Sequence, residues 1–166
     1  MAKKTIKLMK YSDVVKELVA NAAITPGMLI ERMSTNKVRA HATAEGNATP
    51  IFALEDELQG NGIDDAYSAA DPVQCWYAGR GDEVYAILAD GYSVAIGDEL
   101  ASNGDGYLRK HTAETESWGV SEAGSVTVNP LAIVARALEA VDTSGSSGEE
   151  SSMTLGYARR IKVEIV

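Results

Sequence analysis

The chain is short of the residues from which most active centres are built. Its 166 residues include one cysteine, Cys75, and two histidines, His41 and His111. An internal disulfide is therefore excluded, and a zinc or iron site has no cluster of Cys and His ligands to draw on. Nucleophilic catalysis needs a base within hydrogen-bonding reach of a Ser or Cys. Alternation over residues 37–43 turns Val38, Ala40 and Ala42 one way and Lys37, Arg39, His41 and Thr43 the other, which puts His41 on a wet strand face. His111 follows Arg109-Lys110 at a charged strand end. No glycine-rich phosphate loop with its lysine occurs, so neither cofactor nor metal is expected, and no enzymatic activity. Long apolar runs are missing too. No segment approaches the ~18 apolar residues of a membrane span, and the basic N-terminus runs into Tyr11-Ser12-Asp13 rather than the apolar stretch of a signal peptide. Basic charge is scarce, with 15 Lys and Arg against 24 Asp and Glu and a net charge of −9. That balance argues against nucleic acid as a partner.

What the chain has in quantity is short apolar runs closed by glycine turns. The 166 residues, 45% of them hydrophobic, suit one domain with one core. From residue 72 to 112 the runs are closed at Gly79 to Gly81, Asp90-Gly91, Gly97-Asp98 and Asn103 to Gly106, a pattern that reads as a β-meander. Over residues 84–89, Val84, Ala86 and Leu88 oppose Tyr85, Ile87 and Ala89. Neither face is charged, as expected of a strand covered on both sides. Cys75 lies among Val73, Trp76 and Tyr77 and reads as a buried, unreactive thiol.

Residues 1–23 read as a basic arm and residues 24–166 as a single β-rich body. The first 12 residues hold Lys3, Lys4, Lys7 and Lys10 and no acid, leaving 11 basic and 24 acidic groups in the other 154. Such an arm can reach an acidic surface on a partner or sister subunit, or it can be a solvated terminus. Ile6 and Leu8 alternate with Thr5, Lys7 and Met9, so the arm can add a strand to an edge. No hairpin turn joins it to a body strand, which points to pairing with another chain. Val14, Val15, Leu18, Val19 and Ala22 have the spacing of a short helix with Ser12 as N-cap. Strands are expected over residues 28–33, 37–43 and 51–54, with a long acidic connection over 55–70 that holds one helical turn. Asn47-Ala48-Thr49 is nominally a glycosylation sequon but reads as loop. Over residues 131–141 the pattern favours helix slightly over strand. Residues 142–156 are Ser/Gly-rich and read as a mobile loop. At the C-terminus Ile161, Val163 and Ile165 alternate with Arg160, Lys162 and Glu164, so the chain ends inside the sheet.

Several motifs resemble sites and are better explained as turns. Asn103-Gly104-Asp105-Gly106 has the opening of a calcium loop without the later oxygen ligands. Gly79-Arg80-Gly81-Asp82 contains the Arg-Gly-Asp tripeptide of adhesion ligands and is also what a hairpin connection requires. Asp98-Glu99 and Glu55-Asp56-Glu57 offer paired acids, but glycoside hydrolysis needs two carboxylates flanking a cleft with one pKa raised.

Across Ala22-Ala23-Ile24-Thr25-Pro26-Gly27, Phe52-Ala53-Leu54-Glu55, Gly81-Asp82-Glu83-Val84-Tyr85-Ala86, Ser102-Asn103-Gly104-Asp105-Gly106, Ala137-Leu138-Glu139-Ala140-Val141 and Arg160-Ile161-Lys162-Val163, the chain resembles head decoration (cement) proteins of tailed bacteriophages. The likeness covers most of the length and rests on the order and spacing of turns and strands. It implies a mainly β fold, a small β-barrel or β-tulip-like meander with an extended N-terminal arm and little helix, and it tips residues 131–141 toward strand. It further implies a homotrimer on the capsid exterior, assembled in the host cytoplasm, that binds the major capsid protein at subunit junctions and stabilises the shell. The expected contacts are Lys3, Lys4, Ile6, Lys7, Leu8 and Lys10. The alternative is a binding module on the same scaffold that displays residues 80–82 or 142–156 to a host surface or glycan.

Overall fold

The computed structural model describes residues 4–11, 13–112, 129–145 and 160–166. The expected turns and strand runs fold into a mainly β protein. Its strands are β1 (Lys7–Met9), β2 (Val14–Val19), β3 (Ile30–Arg32), β4 (Val38–Ala40), β5 (Ile51–Ala53), β6 (Pro72–Tyr77), β7 (Glu83–Ile87), β8 (Ser93–Val94), β9 (Glu99–Ser102), β10 (Leu108–Lys110), β11 (Ile133–Ala137), β12 (Val141–Asp142) and β13 (Arg160–Ile165). The helical content among the described residues is one 3-10 turn, Glu57–Gln59, within the acidic connection where a helical turn was expected.

The pairing order is not a meander. A six-stranded antiparallel sheet runs β1-β7-β13-β11-β9-β10, and β6, next to β7 in sequence, belongs to a separate sheet, β2-β6-β5. Among the strands of residues 72–112, β9 and β10 are the consecutive pair that hydrogen-bond to each other. The C-terminal strand β13 does end inside the sheet, between β7 and β11. A single bridge, with the Ala89 N–H donating to the Leu108 carbonyl at 2.8 Å, brings β10 back to the residues after β7. The sheet therefore curls toward a barrel without a continuous closing ladder.

The β2-β6-β5 sheet separates two cores, and this explains the strand sequences. Trp76 of β6 and Phe52 of β5, with Ala78 and Leu54 just past the ends of those strands, pack into the larger core with the six-stranded sheet. Val73, Cys75, Ile51 and Ala53 alternate with them into a smaller core closed by Ile30 of β3 and Val38 of β4. A strand with a core on each face has no charged face, and the same holds for β7, where Val84, Tyr85, Ala86 and Ile87 are all buried. Cys75 is fully buried as expected, and burial pushes its thiol pKa up to about 11.

Two element assignments change. Residues 14–19, expected as helix, form β2, paired with β6 in the register Val14↔Tyr77 to Val19↔Pro72. The proposed cap, Ser12, lies outside the described residues. The β-branched Val14, Val15 and Val19 favour an extended backbone, and β6 offers a ladder that a lone helix would have to forgo. Residues 131–141 form β11 and β12, as the resemblance implied, and no helix.

Candidate functional site

The expected contact residues Lys3, Lys4, Ile6, Lys7, Leu8 and Lys10 divide into buried and exposed groups. Ile6 is fully buried in the larger core. Its N–H donates to the Glu55 carboxylate at 3.1 Å, and its carbonyl accepts from the Tyr85 N–H at 2.8 Å. Leu8 packs half-buried against the same core. The Lys7 ammonium lies 2.7 Å from an Asp13 oxygen and 5.3 Å from the centre of the Trp76 ring. Lys10 pairs with the other Asp13 oxygen and is itself exposed, as is Lys4; Lys3 lies outside the described residues. The expectation that this segment pairs with another chain is corrected by the β1–β7 ladder, Lys7↔Val84 and Met9↔Glu83. A non-local body strand supplies the hydrogen bonds that a hairpin would have supplied, and Ile6 anchors the pairing hydrophobically.

What the segment does bring to the surface is apolar. Nine large hydrophobic side chains are exposed among the described residues, and five of them, Met9, Tyr11, Val14, Val15 and Val19, fall within eleven residues. Tyr11 is 97% exposed while its backbone N–H donates to the Asp82 carboxylate. Beside Val15 opens a groove of about 310 Å³ lined by Thr5, Lys7, Leu54, Leu58 and Gln74 and rimmed by Glu55, Asp56 and Glu57. Leu58, on the 3-10 turn, is 94% exposed. Sequence reading missed β2 and this groove, because an edge strand exposed on both faces carries no two-residue period. The β-branched content of β2 was the available signal.

The catalytic candidates are tied into structural bonds. His41 is buried rather than wet: its N–H donates to the Leu29 carbonyl at 3.0 Å, continuing the β3–β4 register, and it shares the face of Arg39 and Glu31, which Ser102 and Asn47 cover at this end. Its Nδ1 lies 2.8 Å from Ser102 Oγ and its Nε2 3.1 Å from the Asn47 carbonyl, with a Glu31 oxygen 3.7 Å away. The set resembles a hydrolytic triad, yet Ser102 is fully buried and its oxygen accepts the Gly104 N–H at 3.1 Å. A nucleophile must reach its substrate, so His41 here ties the β9–β10 turn to the loop before β5. His111 pairs with Glu45 at 2.6 Å. Asp98 pairs with Lys110 at 2.7 Å and accepts the Ala95 N–H. The lysine first and the N–H second hold its carboxyl below the usual range, opposite to what a general acid requires. Glu99 pairs with Arg136 at 3.3 Å. Asn103 to Gly106 form the β9–β10 turn, and among the described residues no group of acidic, His and Cys side chains is placed to hold a metal ion. In the Arg-Gly-Asp tripeptide, Asp82 is fully buried and accepts the Gly79 N–H at 2.7 Å, so its carboxylate is not displayed to a receptor.

The fold has a solved counterpart. The chain is similar to the N base of the head fiber gp8.5 in bacteriophage phi29, with a TM-score of 0.50 and 12% sequence identity over 93% of this chain and 95% of that one. No family model matches the chain, and no curated protein does. The similarity to the head fiber base is one of fold. It spans nearly the whole of both chains, so the sheets on which the amino-terminal edge is mounted fall within the shared architecture.

Proposed function

We propose that this chain is a structural protein of a tailed-phage head, which binds the outer surface of the icosahedral shell at subunit junctions and stabilises it without chemistry of its own. The observation that supports this reading is the fold shared along nearly its whole length with the base of a phage head fiber. The bonding of Asp98, Glu99 and His41 into structural pairs agrees with a protein that binds rather than reacts. In this reading the partner is the major capsid protein and the working form is a homotrimer, in which three weak contacts gain avidity from being linked. The contact lies on the amino-terminal edge. Lys3, Lys4 and Lys10 supply cationic charge, Met9 and Tyr11 supply apolar area, and Ile6, Lys7 and Leu8 hold that edge to the body. The net charge of −9 keeps many copies soluble before they reach the shell.

The test compares head shells of the cognate phage, with and without the protein, under heating and osmotic shock. Decorated shells are expected to survive conditions that rupture bare ones. Equal rupture in both sets would overturn the stabilising role.

A further inference from the structure

We propose that the edge of β2 from Val14 to Leu18, with the groove beside it, takes an extended segment of a partner protein as an added antiparallel strand, and that this segment reads apolar-basic-acidic-apolar-apolar. The capsid-binding reading enters in one place, the assignment of that segment to a shell protein. β2 is the terminal strand of its sheet; on its outer side Val38 of β4 bridges to Ala20 and accepts the Asn21 N–H at 2.8 Å, which covers the C-terminal end, and among the described residues no strand is paired beside Val14 to Leu18. The Ala20 N–H donates to the Asp71 carbonyl on the β6 side at 2.9 Å. Alternation along an antiparallel ladder then directs the N–H and C=O groups of Val15 and Glu17 outward, ahead of the bridge between Ala20 and Val38. Natural proteins blunt or cover such edges, but here Val14, Val15 and Val19 stay exposed on the strand.

The strand's own sequence specifies its partner. Residues opposite one another in an antiparallel pair share a face, so Val14, Val15 and Leu18 call for apolar residues, Lys16 for an acid and Glu17 for a base. Reading the partner in its own direction gives the stated order. Glu17 shares its face with Val15, on the groove side, where Asp56 and Glu57 lie on the rim. The basic residue of an added strand would therefore enter an acidic setting, with its apolar neighbours directed toward Val15 and Leu58.

A second copy of this chain does not fit the same edge. Two identical edges meet antiparallel only about a two-fold axis normal to the sheet, which places some residue opposite its own counterpart. In the centred registers that residue is Lys16 or Glu17, and like charges face each other. The oppositely charged alignment of Lys16 with Glu17 of a copy would require one sheet to be turned over onto the other. A free peptide carries no sheet and escapes that constraint, so residues 13–20 of this chain themselves have the complementary order.

The full-length protein, followed by backbone amide NMR, is titrated with a capped peptide of residues 13–20 and with the same peptide after exchange of its Lys and Glu. The first peptide is expected to bind with shifts at the amides of Val15 and Glu17, and the exchanged one about tenfold more weakly, since two cross-strand ion pairs become repulsions. Glu17→Pro, which removes an outward donor at a position where an edge strand tolerates proline, should abolish binding. A chain carrying both Lys16→Glu and Glu17→Lys should reverse the peptide preference and does not depend on the proline variant folding. No binding, equal binding of both peptides, or shifts elsewhere would overturn strand addition. So would peptide binding that dissociates a dimer of this chain. Shell binding without peptide binding would overturn the strand mode and leave the capsid reading standing; peptide binding without shell binding supports the strand mode and removes the capsid reading.

Discussion

At Gly27 the backbone has φ +91°, and a Cβ there would sit 2.5 Å from an Arg160 guanidinium nitrogen and 3.0 Å from the Tyr85 carbonyl oxygen. The close approach exists because Arg160, on the last strand, is buried and donates to the Pro26 carbonyl at 2.8 Å and to the Ile63 carbonyl, while an Asp64 oxygen lies 3.4 Å away. Gly27→Ala is expected to cost roughly 2 to 4 kcal/mol in urea unfolding, from positive φ and overpacking together. Arg160→Lys should also destabilise, since one ammonium cannot reproduce the planar fork that reaches two carbonyls. Asp13 makes a pH prediction. Its hydrogen bonds to Lys10 and Lys7 lower its pKa from 3.8 to about 2. A lowered folded-state pKa contributes stability above the unfolded value and loses it as the group protonates. Stability from this pair of contacts should therefore be complete above about pH 4 and fade toward pH 2, and Asp13→Asn should flatten that part of an acid titration followed by unfolding. Cys75 should resist thiol reagents in the folded protein and label at the rate of opening, because its thiol is buried and its pKa is raised.

At the scale of elements, legibility in the sequence followed burial. β7 and β13 were readable because cores or alternating contacts impose a pattern on their residues, and the turn at Asn103 to Gly106 was readable from its chemistry. β2 was not, since both its faces are largely exposed and its Val and Leu spacing fits a helical stripe equally well. The pairing order could not be read locally. β13 lies between β7 and β11, strands far from it in sequence, and nothing within residues 72–112 marks that insertion. His41 does share the face of Arg39 and Glu31, but Ser102 and Asn47 cover that face at its end, and a two-residue period does not show which part of a face distant residues will cover. The arm shows the largest change in expectation. With Ile6 in the core and β1 paired to β7, deletion of residues 2–10 should destabilise the body as well as weaken binding. Ile6→Ala alone should cost roughly 2 to 5 kcal/mol in chemical denaturation, whereas removing the charge of exposed Lys4 should leave unfolding unchanged. A truncated chain as stable as the intact one would contradict the burial of Ile6.

At the scale of the whole molecule, a basic, apolar edge sits on an acidic body whose sheets share their fold with a phage head fiber base. The charge component of binding should weaken as salt rises and the ~10 Å screening length of 0.1 M shortens, while the apolar and backbone components persist. Occupancy of shells across a salt series is therefore expected to fall to a plateau rather than to zero. The central claim is tested most directly by electron cryomicroscopy of cognate head shells incubated with the intact chain. The account predicts added density on the outer surface at subunit junctions, with residues 4–19 of each copy facing the shell. Bare shells, or density that contacts the shell through the opposite side of the molecule, would contradict it.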